Sequence, residues 1–367
     1  MIFVYVPFLL AFALYSYSLV DPNITLINSP VWERVRESAV QLGYYHRDWS
    51  WIIYLLSIVA LFMFHRLFMK HARKYNPVVL ALIIGLVLLI AYPFLSHDFF
   101  NYLFDAKILT LYHKSPYLFK ALDFPHDPWI RFMHWTHRTY PYGPLFLVFS
   151  IIPSFISGGK FIADYFLFKL MFTAMYVAST WLLSRIKREY GLLFATHPLV
   201  IIEALVNGHN DIVAVTIALV GMWFLLKKNR PYLGGLFLIL SSGIKYMTLP
   251  FVFISKKNLM RNKLALAGFL AVVVFLLFYQ DIQPWYFLNL FVMVPFFASV
   301  IEGSWIFLLG LLVSYYPFVR YGEWINLWDV PMKQVIVAAF LALNVLYLIV
   351  HGTIKRNNKS LQAVSET

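Results

Sequence analysis

Apolar residues in this chain fall in long blocks separated by short polar, basic or aromatic stretches. Blocks long enough for a membrane helix run over 2–20, 50–69, 77–95, 161–185, 191–206, 210–226, 263–279, 284–301, 303–319 and 332–351, since about 20 apolar residues span a hydrocarbon core. Two further stretches are apolar but irregular: 144–157 is short for a crossing, and 232–255 is interrupted at Ser241-Ser242-Gly243-Ile244-Lys245-Tyr246. Basic residues cluster between blocks. Arg66, Lys70, Arg73 and Lys74 form one group; Arg185, Lys187 and Arg188 a second; Lys227, Lys228 and Arg230 a third. Lys256, Lys257, Arg261 and Lys263 form a fourth, and Lys355, Arg356 and Lys359 a fifth. Such clusters mark cytoplasmic loops.

Putting all five clusters on one side imposes two conditions. Segment 144–157 must be a re-entrant helix that does not cross, because only one crossing fits between Ser96 outside and Arg185 inside. Segment 232–255 must leave and return as a hairpin with its tip near Lys245, because both flanks are basic. Broken segments at membrane depth survive only when buried in protein or lining a polar cavity. The pattern predicts an all-α polytopic membrane protein, a single domain over 1–367, with about 12 membrane helices and both termini cytoplasmic. The outer face then collects a large loop, 96–143, and a helix near 31–37 lying in the interface.

Composition agrees. Of 367 residues 61% are hydrophobic and 13% charged, which excludes a soluble enzyme, a disordered chain and a coiled coil. The net charge of +13 belongs to inter-span loops and implies a bilayer, not a nucleic acid, as partner. With no cysteine, thiolate metal sites and disulfides are excluded. The first block has no basic leader and no small-residue exit before Asp21-Pro22, so it reads as a retained helix.

Chemistry concentrates on the predicted outer face. Ser96-His97-Asp98 ends the third block, and Asp105 follows two turns later on the same helical face. A carboxylate at the mouth of an apolar cavity is partly desolvated, which suits a general base; the plain alternative is a solvated helix terminus. Ser115-Pro116-Tyr117 and Tyr140-Pro141-Tyr142-Gly143-Pro144 enforce turns and offer tyrosines that either stack on a sugar or anchor in the headgroup layer. His134, His137 and Arg138 read as a metal pair or a phosphate clamp, without a matching carboxylate to complete a metal site. Asn207-Gly208-His209-Asn210-Asp211 either caps two helices or builds a site. Glu203 is an intramembrane carboxylate, functional by default. Lys245, flanked by apolar residues, calls for an anion, and a phosphate is the favoured one. Gln283-Pro284-Trp285-Tyr286 opens a later span with aromatic walls.

These elements, in this order, resemble the glycosyltransferase C superfamily, and within it the prokaryotic polyprenol-phosphate-mannose-dependent mannosyltransferases; a weaker likeness runs to the catalytic subunit of GPI mannosyltransferase I. The likeness covers about residues 90–290 and rests on Asp98, Phe104-Asp105-Ala106, Ser115-Pro116-Tyr117, Tyr140-x-Tyr142-Gly143-Pro144, Asn207-Gly208-x-Asn210-Asp211, Ile244-Lys245-Tyr246 and Gln283-Pro284-Trp285-Tyr286. It implies juxtamembrane helices in the outer loop. It also implies transfer of a hexose, mannose by preference, from a polyprenyl phosphate to a hydroxyl of a glycan, glycolipid or protein, with inversion, on the outer side of a prokaryotic plasma membrane. Asp98 is then the base. Asp105, Arg138, Tyr140, Tyr142, His209, Asn210, Asp211, Lys245, Tyr246, Trp285 and Tyr286 are the binding residues, with Lys245, helped by Arg138 or His209, on the phosphate. Several relatives carry paired acids where this chain has Ser96 two residues before Asp98, so no metal ligand is assigned and a divalent ion stays open. Were the host membrane the endoplasmic reticulum instead, Asn23-Ile24-Thr25 would be a glycan acceptor. The rival reading is a transporter or flippase of lipid-linked sugars, which also uses broken helices and buried charges; the one-sided polar inventory and the lack of an inverted repeat speak against it.

Overall fold

A computed structural model describes residues 1–24, 28–279, 281–322 and 328–365, with side chains as far as His351. Thr25 and part of the outward stretch 320–330 therefore lie outside the described residues, as do the side chains of Lys355, Arg356 and Lys359. The described chain is helical, without a strand. Six helices are long and apolar enough to cross a membrane: Ile2–Leu19, Arg47–Lys70, Phe161–Ile186, Leu259–Tyr279, Pro284–Gly303 and Asp329–His351. A bent pair, Arg188–Thr196 and Pro198–Val206, would make a seventh, and five shorter apolar helices accompany them. Their surfaces fit lipid. After α1 (Ile2–Tyr15) and α2 (Pro30–Val40), the exposed residues Ile52, Leu56, Val59, Met63 and Leu67 of α3 (Arg47–Lys70) form one helical stripe, an apolar face that water would not tolerate at this size.

Two expected spans are corrected. The block at 77–95 stops being helical at Leu88, the end of α4 (Pro77–Leu88). Pro93 explains the early stop, because its ring excludes the helical carbonyl four residues before it and disfavours helix at Tyr92. The freed backbone is taken up by side chains from other elements. Tyr17 donates to the Ile90 carbonyl (2.7 Å), Tyr165 donates to that of Ala91 (3.1 Å), and the Tyr92 amide donates to Ser16 Oγ (2.7 Å). Asp98 is consequently not the exit of the third span but the first residue of a new helix, α5 (Asp98–Thr110). The block at 191–206 is likewise not straight. It bends by 56° between α8 (Arg188–Thr196) and α9 (Pro198–Val200), which continues as a wide π turn, Ile201–Val206.

Between them lie α6 (Pro144–Ser157) and α7 (Phe161–Ile186). α10 (Asp211–Leu226) is buried over most of its length up to Met222. α11 (Pro231–Ser242) runs back beside it, and Gly221 and Gly234 bring the two backbones together: a Cβ on either would sit under 3 Å from the other's carbonyl oxygen. The chain turns at Gly243–Lys245, the expected tip, and returns as a 3₁₀ run, Tyr246–Phe253. α12 (Leu259–Tyr279) follows. The expected span at 284–301 opens as a second 3₁₀ run, Pro284–Met293, and continues as α13 (Val294–Gly303). That expected at 303–319 is two pieces, α14 (Trp305–Val313) and α15 (Tyr316–Tyr321), and α16 spans Asp329–Ser365. The ends of these elements sort by chemistry. Asp211, Lys245 and Gln283 stand at one end of α10, the hairpin and the Pro284–Met293 run; the basic loops 227–230 and 256–263 stand at the other ends of the same helices.

Candidate functional site

Asp98, Arg138 and Lys245, far apart in sequence, line one cavity of about 730 Å³. Behind its wall lies the turn between the Ile201–Val206 run and α10. Gly208 takes φ +70° there, and a Cβ would come within 2.8 Å of the Phe99 ring, so only glycine fits. The polar side chains of this turn do not cap α10, whose N-cap residue Asn210 makes no side-chain cap bond. They bond inward instead. Asn207 Nδ2 donates to Glu203 Oε2 (2.9 Å), and its side-chain Oδ1 accepts from the Leu95 amide (3.4 Å). Asp211, fully buried, accepts from Asn289 Nδ2 (2.8 Å) and pairs with Lys245 Nζ (2.9 Å). The anion that Lys245 requires is thus present within the chain.

A close backbone approach puts Lys245 in place. A Cβ on Gly143 would fall 1.9 Å from the Gly243 carbonyl oxygen, so the Tyr142-Gly143-Pro144 turn presses directly on the tip of the hairpin. Lys245 Nζ then lies 5.5 Å from the centre of the Tyr142 ring, a cation–π distance. The turn is braced from behind. Tyr117 donates to the Tyr142 carbonyl (3.2 Å), and the Tyr140 amide donates to that of Pro116 (2.9 Å). The two proline-tyrosine motifs therefore act as one buttress. Elsewhere in the loop a Lys107–Asp127 ion pair (2.6 Å), with Tyr112 donating to Asp127 (2.6 Å), ties α5 to the segment before Trp129.

Asp98 stands at the centre. Arg138 Nη2 is 3.9 Å from one of its oxygens and His209 Nδ1 4.0 Å from the other, and the side chain keeps 16% exposure toward the cavity. Burial pushes its carboxyl up, opposed by Lys245, Arg138 and Trp135. That balance suits a group that takes and returns a proton. Arg138 lies over the Trp135 ring at 4.7 Å. On the opposite wall Trp285 stacks on His209, with ring centres 4.0 Å apart and planes at 17°. Beside it Lys333 Nζ donates to Gln283 Oε1 (2.7 Å).

Of the residues expected to form the site, Asp98, Arg138, Tyr142, Lys245, Tyr246, Trp285 and Tyr286 line the cavity. Asp105, Tyr140, His209, Asn210 and Asp211 do not. They are buried behind the wall, where Asp211 pairs with Lys245, His209 stacks on Trp285 and Tyr140 packs against Tyr142. His209, without exposed surface, cannot touch a phosphate in this conformation. Asp105 is enclosed two turns beyond Asp98 on α5, and burial raises its carboxyl to about 8. His134 stacks on His97 with ring centres 4.2 Å apart, which is not a chelating arrangement. Among the described residues no three His, Asp or Glu side chains converge as metal ligands. Wall residues that escaped the sequence reading include Trp135, Asp281, Tyr315 and Lys333. Lys333 had a usable signal, a cation at the start of an apolar block; Tyr315 had none.

Neither curated proteins nor solved structures gave a match. The family model described as alpha-(1->6)-mannopyranosyltransferase, N-terminal domain (MptA_B family), matches residues 8–257, which carry Asp98, Arg138, Tyr142 and Lys245. The polytopic helical fold and that match over most of its length place this chain in the MptA_B mannosyltransferase family, of glycosyltransferase C type.

Proposed function

We propose that this glycosyltransferase takes its mannosyl group from a polyprenyl phosphate and transfers it, with inversion, to an acceptor hydroxyl on the extracytoplasmic side. One observation carries the reading: two carboxyls, Asp98 and Asp281, and three cations, Arg138, Lys245 and Lys333, face a single cavity with aromatic walls. Asp98 removes the acceptor proton as the bond from the anomeric carbon to the phosphate oxygen breaks, through an oxocarbenium-like state. Lys245 and Arg138 meet the charge growing on the departing phosphate, the kind of term that contributes most to catalysis. Tyr142 and Trp285 flank the sugar. Asp211 keeps Lys245 aimed at the cavity until the donor arrives.

Two features support the depth and side assigned. From the basic loop 227–230, α10 and α11, with 16 and 12 residues, rise only about 24 and about 18 Å, against a hydrocarbon core of about 30 Å. The hairpin tip that lines the cavity would then stand recessed in such a slab, within reach of a lipid-borne phosphate. The basic loops stand at the opposite ends of the helices, which favours an outward-facing site.

The test is transfer by the purified chain from labelled polyprenyl-phosphate-mannose to octyl α-mannoside. Asp98→Asn should lower kcat by about 10²–10⁴ with the protein folded, and Lys245→Met should abolish use of the donor. Near-full transfer by Asp98→Asn removes the base assignment. Translocation of the intact donor without bond cleavage would replace the enzyme by a flippase.

A further inference from the structure

Behind Asp98 lies an arrangement that donor binding does not use. His209 has no exposed surface and sits between two carboxylates: Nδ1 is 4.0 Å from Asp98 Oδ2, and Nε2 is 3.4 Å from Glu203 Oε2. Neither ring nitrogen makes a hydrogen bond, an uncommon state for a buried imidazole. Glu203 is itself fixed by donors, from Tyr315 (3.1 Å to Oε1) and Asn207 (2.9 Å to Oε2). The ring cannot swing away, because its face is stacked on Trp285. Charged groups from neighbouring elements complete the surroundings: burial and Lys245 from the hairpin oppose a proton on His209, so the imidazolium depends on the two carboxylates that flank it, while Lys333 from α16 favours and Asp211 from α10 disfavours the charged form of Glu203.

We propose that His209 and Glu203 are positioning residues forming a buried relay behind Asp98, which receives the proton that Asp98 removes from the acceptor hydroxyl. The proposal rests on the reading of Asp98 as the base. In the first step the acceptor O–H bond breaks and an O–H bond forms on Asp98, while the acceptor oxygen's electron pair forms the new bond to the anomeric carbon and the phosphate leaves with the old one. In the second step the proton passes from Asp98 to Nδ1 of His209, and the imidazolium is held by the Glu203 carboxylate through Nε2–H. Asp98 is thereby restored to its carboxylate form while the product still occupies the cavity, and once the product has left the proton returns through Asp98, whose side chain keeps 16% exposure, to water in the cavity. The 4.0 Å gap closes by a shift of about 1 Å or through one water, as free enzymes often require. The logic is that of a histidine oriented by a buried acid, moved one group away from the substrate.

The experiment compares kcat between pH 5 and 9 for the full chain and its Glu203→Gln, His209→Gln and Asp98→Asn variants, with labelled polyprenyl-phosphate-mannose and octyl α-mannoside. For Glu203→Gln and His209→Gln we expect kcat to fall 10- to 100-fold with the donor KM within twofold. The loss should shrink as pH or buffer concentration rises, because solvent base then discharges Asp98 instead. A merely structural role would give a loss independent of pH and buffer. That result, or wild-type kcat and pH profile in either folded variant, overturns the relay. If neither variant folds, Tyr315→Phe, which removes one donor to Glu203, decides: a smaller kcat loss with the same pH trend supports the relay, and an unchanged profile overturns it. Full activity in Asp98→Asn would instead defeat the base assignment itself.

Discussion

Severing the Lys245–Asp211 pair measures how the site is held. Asp211 is fully buried and Lys245 retains 12% side-chain exposure, at an N–O separation of 2.9 Å. Removing one partner of a buried pair costs roughly 3–5 kcal/mol, mostly because the other charge stays buried without compensation. Asp211→Asn leaves the ammonium, which can turn toward the cavity water, so about 3 kcal/mol is expected. Lys245→Met leaves a carboxylate with no water and only the Asn289 amide as partner, so the loss should lie nearer about 5 kcal/mol. The double variant removes both charges at once and should recover about 2–3 kcal/mol of the summed single losses. Equilibrium unfolding of the detergent-solubilised chain gives all four corners of the cycle. Losses additive within about 0.5 kcal/mol would refute the idea that Asp211 holds Lys245 in place, whatever the fate of activity.

Two further perturbations test the surroundings. Burial raises Asp105 from its ordinary 3.8 to about 8, so the folded state favours its neutral form: this contribution to stability is complete below about pH 4 and is lost as pH rises toward 8. Asp105→Asn should therefore flatten the decline of the melting temperature between pH 4 and 8, and an unaltered slope would contradict the burial argument. Gly143→Ala forces a methyl group against the Gly243 carbonyl and should cost about 1–3 kcal/mol. By parting Tyr142 from Lys245 it should also lower transfer at least tenfold; a folded Gly143→Ala protein with full activity would show that the close approach is not needed.

Composition and the spacing of apolar blocks were enough to give a helical membrane protein, because hydrocarbon admits few other ways of satisfying a backbone. Basic clusters flanking 232–255 were enough to demand a hairpin with Lys245 at its tip. Local pattern misled at 77–95, where hydropathy continued past Leu88 but Pro93 did not permit a helix. The order of proline, tyrosine, aspartate and lysine motifs was enough to bring out the family. What the linear order could not provide was which side chains face inward and which stand behind. Asp98, Lys245 and Trp285 reach the cavity, whereas Asp105, His209 and Asp211, no less polar in the alphabet, are enclosed. That division depends on contacts between segments 50 to 112 residues apart, such as Lys333 with Gln283 and Tyr315 with Glu203. The sequence alone determined the solvent this protein lives in and the kinds of group it would gather. Only packing decided the distances between those groups, because an ion pair or a stacked ring is made by two chain segments and is written in neither.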